Sequence, residues 1–306
     1  MKRKLFRLFF VLFLALHFTP YTLHDVYGAG TTRAEFLLMG GGARATGMGE
    51  AFSAVANDVN AMVYNPAGLG QLKENRFTFL HNQWIQGIGY EYFGLVHKMG
   101  RSRGIGLDLR YLHMDSLTGR DSQISEPYTF RAYDLAGTVG YGMEVMENIF
   151  MGGSVRIIQE TIEQEKSEGI GFDLGFLYRK EARSNRVQIA VALQNIGPGM
   201  KFVMEKEPLP LNLRLGLAYF LKYNLTLALD WNKLKDSHPF INMGAEYCLS
   251  RLFTLRGGYS TDPELVSSAR LSMGIGVMWR EYRLDYTYIP FEELGQTHSF
   301  SFSLKF

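Results

Sequence analysis

The stretch that decides the fold is the last one, His298-Ser299-Phe300-Ser301-Phe302-Ser303-Leu304-Lys305-Phe306. Phe300, Phe302, Leu304 and Phe306 alternate with Ser299, Ser301, Ser303 and Lys305. Side chains of a strand point alternately to its two faces, so one face here is greasy and the other hydroxylated or charged. The pattern recurs upstream. Ile105, Leu107, Leu109 and Tyr111 alternate with Gly104, Gly106, Asp108 and Arg110. Leu225, Leu227, Leu229 and Trp231 alternate with Asn224, Thr226, Ala228 and Asp230. A helix would place its apolar residues three and four apart, and these stretches do not.

On this template the sequence predicts an all-β chain of fourteen antiparallel strands: 75–84, 88–98, 103–114, 128–143, 148–159, 169–180, 186–194, 211–221, 224–232, 240–249, 252–260, 268–279, 282–289 and 298–306. Most reach the ~9–11 residues that a tilted strand needs to cross a bilayer. Connections after even strands are short, such as Lys222–Tyr223 and Arg280–Glu281. Most after odd strands are longer: Asp115–Pro127, Thr161–Glu168, Asn195–Pro210 and Pro290–Thr297. Short turns on one rim and longer loops on the other mark a bacterial outer-membrane β-barrel, with both termini on the short-turn, periplasmic side. Tyr141, Tyr178, Tyr219, Tyr247 and Trp279 fall near one end of the strands, and Tyr111, Trp231, Tyr259 and Tyr288 near the other. Such rings collect at membrane interfaces, so two girdles are expected. A soluble barrel or sandwich would turn its apolar face inward. It would then leave an unusually glycine-rich, small-residue face outside.

The 306 residues are 46% hydrophobic, with 22 Phe, 17 Tyr and one Cys, which excludes a disulfide framework and a Cys-rich zinc site. Residues 1–28 carry four basic residues, Lys2, Arg3, Lys4 and Arg7, against Asp25, so the formal charge of +2 becomes −1 without them. Nothing there argues for nucleic acid as a partner. That stretch has a basic start, a nine-residue apolar run Leu8–Leu16, and Val26 and Gly28 before a plausible cut. It is expected to be a cleaved signal peptide, since nine residues are too few for a membrane-spanning helix.

If the apolar face meets lipid, the other lines a lumen. That lumen would carry Asp108, Arg110, Asp134, Arg156, Asp173, Arg214, Asp230, Glu246, Arg256, Arg270, Arg283 and Asp285, six acids and six arginines. Such balance predicts internal ion pairs rather than a strongly ion-selective pore. Residues 29–74 are too many for a stub and are expected to form a plug, or hatch, inside the barrel of residues 75–306. Within them Asp58 is placed to N-cap a short helix over Val59–Tyr64, and Asn65-Pro66-Ala67-Gly68 to end it. The glycines form neither a P-loop nor a dinucleotide fingerprint.

Gly42-Ala43-Arg44-Ala45-Thr46-Gly47-Met48-Gly49-Glu50-Ala51-Phe52, Ala54-Val55-Ala56-Asn57-Asp58 and Asn65-Pro66-Ala67-Gly68-Leu69 closely resemble the N-terminal signature of PorV/PorQ-type proteins of the FadL-like superfamily. Leu193-Gln194-Asn195-Ile196-Gly197, Leu209–Gly216, Leu284-Asp285-Tyr286, Pro290-Phe291 and Leu294-Gly295 extend the resemblance along the chain. It implies a fourteen-stranded outer-membrane barrel with an N-terminal hatch containing the Asn65-Pro66-Ala67 turn. In one branch hydrophobic molecules bind in the barrel and leave sideways as the hatch rearranges. In the other the barrel is an accessory or shuttle of type IX protein secretion.

The histidines show no ligand spacing, no metal or other cofactor is called for, and no Ser–His pair stands out for an acyl hydrolase. The chain is therefore expected not to be an enzyme. Cys248 is expected to pack against the hatch as a small lumen residue. Two functions stay open. The first is passive transport of a hydrophobic or amphipathic, fatty-acid-like molecule. Asn65, Pro66, Ala67 and Gly68 would be its movable turn, and Arg156, Arg214, Arg256 or Arg270 would offer charge-assisted bonds to a carboxylate. Arg110, Asp108, Asp230, Glu246 and Asp285 complete the candidate lumen set. The second is a scaffold that binds secretion components through the outer loops. Outer-membrane lipid is the partner common to both.

Overall fold

A computed structural model describes residues 32–306 except 85–86, 115–116, 121–125, 183, 203–204, 263–270 and 292–294. The signal-peptide stretch and Arg270 lie outside the described residues. The strands are β1 (Arg76–Gln83), β2 (Ile88–Lys98), β3 (Arg103–Met114), β4 (Leu117–Gly119), β5 (Tyr128–Phe130), β6 (Ala132–Met146), β7 (Ile149–Ile162), β8 (Glu165–Ala182) and β9 (Asn185–Ile196). They continue with β10 (Met200–Phe202), β11 (Glu205–Glu207), β12 (Asn212–Leu221), β13 (Leu225–Leu234), β14 (Phe240–Cys248), β15 (Phe253–Ser260), β16 (Leu271–Trp279), β17 (Tyr282–Pro290) and β18 (Gln296–Lys305). Fourteen of them form one closed antiparallel barrel, sealed by β1 pairing with β18 from Arg76↔Lys305 to Gln83↔His298. Closure leaves no unpaired edge, which is the condition for a sheet to cross hydrocarbon. Among the described residues no helix is long and apolar enough to cross a membrane.

Every expected strand is present, and the departures have local causes. Residues 128–130 do not continue into the barrel but pair with β4 as a separate hairpin outside it. Thr161–Glu168 is not a loop. Strands β7 and β8 run through it to a tight turn at Glu163 and Gln164, where Glu163 takes φ 59°. Gln159, Glu160, Lys166 and Glu168 carry the ladder past the apolar belt, so the greasy half of the alternation vanishes while the backbone pairing persists.

The faces have the orientation that the alternation requires of a membrane barrel. Leu107 and Leu109 are 46% and 54% exposed, whereas Asp108 and Arg110 between and beside them are buried. On β18, Ser299, Ser301 and Ser303 are buried and Phe300 is exposed. Of the expected girdle rings, Tyr111, Tyr141, Tyr178, Tyr247 and Trp279 stand exposed on the outer surface.

What fills the ring is the N-terminal segment. It comprises 3-10 turns Glu35–Leu38 and Pro66–Gln71 and single helical turns Ala43–Thr46 and Ala61–Tyr64. Asp58 is not the cap the sequence suggested: the helical turn begins at Ala61 with Asn60 at its N-cap position and no side-chain cap, and Asp58 Oδ1 instead accepts from the Asn60 backbone N–H at 2.9 Å in the turn before it. Asn65 then caps the last turn, its Oδ1 accepting from Ala67 N at 3.1 Å, with Pro66 at the first helical position where its missing N–H costs nothing. Ala43, Ala45, Ala51, Ala54, Ala56, Ala61 and Ala67 are all fully buried, their small side chains letting the backbone lie close to the wall.

The path of this segment differs from expectation. The start of β1 and the C-terminus meet on the short-turn rim, where Phe306 N donates to Asn75 O. The described chain begins on the opposite rim, however: Arg33 N donates to Pro208 O in the long β9–β12 connection. The segment threads the lumen from the long-loop rim to the short-turn rim before entering β1.

Candidate functional site

The lumen wall is made for close approach. Ideal Cβ atoms built on Gly104, Gly142, Gly152 and Gly175 would strike the 65–70 turn, and on Gly216, Gly244 and Gly258 the 48–54 stretch. The glycines of the alternation are where two backbones touch. Asn65 is the turn's anchor: its amide donates to Ser53 O and Phe176 O, each at 3.1 Å, so one side chain joins two parts of the segment to β8.

Most charged groups on the middle of the wall are paired, and the pairs form three groups. The largest lies at the short-turn half, across β14, β15 and β17. Arg44 of the segment holds Glu246 with a fork (Nε–Oε2 2.9 Å, Nη2–Oε1 2.7 Å) and Asp58 at 2.6 Å. Arg256 meets Glu246 at 2.8 Å and Asp285 at 2.9 Å, and Arg283 meets Asp285 at 2.8 Å and Glu246 at 3.5 Å. Three arginines and three carboxylates thus close a chain that ties segment to wall. The second group is Arg214 and Asp230, 4.0 Å apart. Asp230 Oδ2 accepts from the Phe52 and Ser53 amides, and Arg214 donates to Gln194 at 2.8 Å. In the third, Arg110 pairs with Asp108 and reaches Leu37 O, while Arg156 bonds Asp173, Asn195 and Thr138. Asn195 sits at φ 59° in a bulge opposite Phe172–Leu174, with its N–H on Asp173.

The candidate residues Arg110, Arg156, Arg214, Arg256, Asp108, Asp230, Glu246 and Asp285 therefore all face inward and are buried, with the chain's own groups as partners. Asp134 and Arg283 are half-buried. Sequence reasoning quoted Arg44 and Asp58 only for motif and cap, and missed their pairing. The available signal was an arginine inside a run of Gly and Ala, which on burial must find a carboxylate. It also missed Glu50, which adopts φ 65° and accepts from the Tyr64 hydroxyl at 2.6 Å. Cys248 is half-buried and takes a weak bond from Thr254 Oγ1, on the wall rather than from the segment. Cross-strand pairing brings His81 and His113 to either side of Glu91 on the outward face, yet no metal-holding group of three occurs among the described residues.

Electrostatics in the segment follow from burial and pairing. Burial raises the Asp58 carboxyl, but the Arg44 guanidinium, with Arg76 and Arg283 beyond it, outweighs that and holds the group at about 2. Glu50 goes the other way: desolvation raises it, and the Tyr64 hydroxyl and Arg214 offset only part of that. Arg44 loses by desolvation and gains more from Glu246 and Asp58, so its pKa rises further.

Comparison with solved structures finds the same architecture. The CymD monoaromatic hydrocarbon channel superposes with a TM-score of 0.64 at 15% identity, over 87% of this chain and 98% of that one. The Ralstonia pickettii toluene transporter TbuX gives 0.64 at 15% identity, over 89% and 100%. The chain has their fold. A Pseudomonas aeruginosa FadL homologue follows at 0.55 and 12% identity, over 88% and 98%. The model of an uncharacterised protein family, UPF0164, matches residues 23–137. No curated protein matches.

Proposed function

We propose that the chain is exported by cleavage of residues 1–28 and sits in the outer membrane with its short-turn rim in the periplasm. There it conducts a hydrophobic or amphipathic small molecule passively, with residues 29–74 as the hatch and Asn65, Pro66, Ala67 and Gly68 as its movable turn. The observation that carries this reading is a lumen closed by the chain's own segment, held through small side chains and exchangeable polar contacts. Passage then requires the segment to move and nothing to be catalysed. The outward apolar belt and the fold shared with a monoaromatic hydrocarbon channel and toluene transporters support it. Because Arg156, Arg214 and Arg256 already face groups of the chain, a carboxylate reaching them displaces an internal partner, so the cargo is selected by its apolar part first.

The test is uptake. Cells lacking the protein take up labelled long-chain fatty acid and toluene more slowly than the parent strain, and parental rates for both would overturn the reading. Type IX secretion components co-purifying with the native protein, with uptake unchanged, would support the PorV-like accessory role instead.

A further inference from the structure

Among the described residues, Arg44, Arg110, Arg156, Arg214, Arg256 and Arg283 each have a carboxylate within 4 Å. Two others do not. At the short-turn end of the lumen, Arg179 of β8 and Arg186 of β9 lie on neighbouring strands, where Arg179 pairs across from Gln188 and Glu181 from Arg186. Among the described residues neither has an ion-pair partner, and the Arg186 Nε is shielded from solvent without a hydrogen-bond acceptor. Each guanidinium instead lies over an inward ring: Arg179 is 4.8 Å from the Phe150 centroid and Arg186 3.9 Å from that of Phe220. Stacking occupies a face and leaves the planar edge of N–H donors pointing elsewhere. Arg179 uses one such donor on Asn148 at 3.3 Å.

The edges border a cavity of about 140 Å³, whose lining also includes Lys73, Arg76, Leu72 and Val96. Its two acids are engaged, Asp58 by Arg44 and Glu74 by Arg76 and Lys305. Gln71 roofs it, fixed by bonds to Val55 O and Ala56 O and by the Gln188 amide at 2.7 Å. A preformed cavity lined by two ring-stacked guanidinium groups, engaged acids and a short apolar wall has the chemistry of an oxyanion site. At about 30 Å³ per water, the space suits a carboxylate and its first methylenes, not a long chain.

We propose that this cavity binds the carboxylate head group of an amphipathic acid at the short-turn mouth, with Arg179 and Arg186 as its ligands. It rests on the transport reading for its orientation, as the place where an acid leaves the lumen, but binding is measurable without transport. The purified full chain in nonionic detergent is titrated calorimetrically with hexanoate, hexanol and inorganic phosphate. Hexanoate binds, hexanol does not, and phosphate binds at least tenfold more weakly, since it gains nothing from Leu72 and Val96. The double variant Arg179→Gln/Arg186→Gln weakens hexanoate at least tenfold, and Arg186→Lys, which keeps the charge and loses the fork, falls between. Heat-modifiable mobility on gels confirms that each variant forms the barrel. Undiminished hexanoate binding by the double variant, or equal binding of hexanol, would overturn the site. Phosphate binding as tight as hexanoate would overturn its assignment to an amphipathic acid. Loss of the transport reading alone leaves these titrations standing.

Discussion

Replacing Asp58 by Asn isolates one charge in the contact between segment and wall. The substitution keeps an oxygen to accept from the Asn60 backbone and side-chain amides, both at 2.9 Å, so the local turn survives. What goes is the carboxylate facing Arg44 at 2.6 Å. Its folded-state pKa of about 2 against an ordinary 3.8 is worth about 2–3 kcal/mol, a population factor of about 60. The sign is that of a depressed carboxylate: the stabilisation is complete above about pH 4 and is lost as pH falls through about 2. Hydrogen exchange of the Val63, Tyr64 and Asn65 amides, bonded to Asn60 O and Ala61 O, reports opening of this part of the segment. At pH 6 the variant is expected to lose about 60-fold in protection there, with the barrel-strand amides as an unchanged internal reference. Near pH 2 the wild type has lost the same interaction and the two proteins should nearly coincide. Equal protection at pH 6 would refute the assignment of a charge-dependent tie. A gap of the same size at both pH values would show that the substitution acts through shape instead.

Adjacent glycines on opposite faces of β15 offer a second check. Gly258→Val drives a Cβ into the Gly49 backbone, which cannot yield, whereas Gly257→Val meets nothing within 4 Å. The first is expected to cost about 1–3 kcal/mol by overpacking and the second less than about 0.5, read from thermal unfolding in detergent. Asn65→Ala strips Ser53 O, Phe176 O and Ala67 N of a partner at once, at about 2–3 kcal/mol. It should raise exchange at the Ala67 amide more than at any barrel strand, and similar protection at Ala67 would deny Asn65 its anchoring role.

The wall was legible in the sequence because alternation and membrane physics act on each strand alone. Phe300 must face out and Ser301 in, whatever their neighbours are. The 161–168 hairpin was not legible, since beyond the hydrocarbon both faces are polar and the period-two signal disappears while the ladder continues. Charge balance in the lumen was readable as a sum, but pairing was not. Arg44 and Glu246 are 202 positions apart, and only the threading of the segment from one rim to the other brings them together. The same holds for Arg179 and Arg186, which look like any turn-flanking basic residues until Phe150 and Phe220 are seen beneath them.

Placement of the contacts also divides the segment's attachment into two kinds. On the β3–β6 side, Met62 and Leu69 are fully buried in hollows that Gly106 and Gly140 leave open, an apolar fit that neither pH nor salt weakens directly. On the β14–β17 side, the tie is Arg44 between Asp58 and Glu246, with Thr287 donating to Ala43 O at 2.5 Å. Buried ion pairs contribute little net stability when water can replace each partner, and lose much when only one partner is removed. Water entering the β14–β17 side can solvate both members of each pair together, whereas on the other side it must expose methionine and leucine. Water can therefore replace the contacts on β14–β17 pair by pair, whereas those on β3 and β6, Leu69 of the 65–70 turn among them, have no polar substitute.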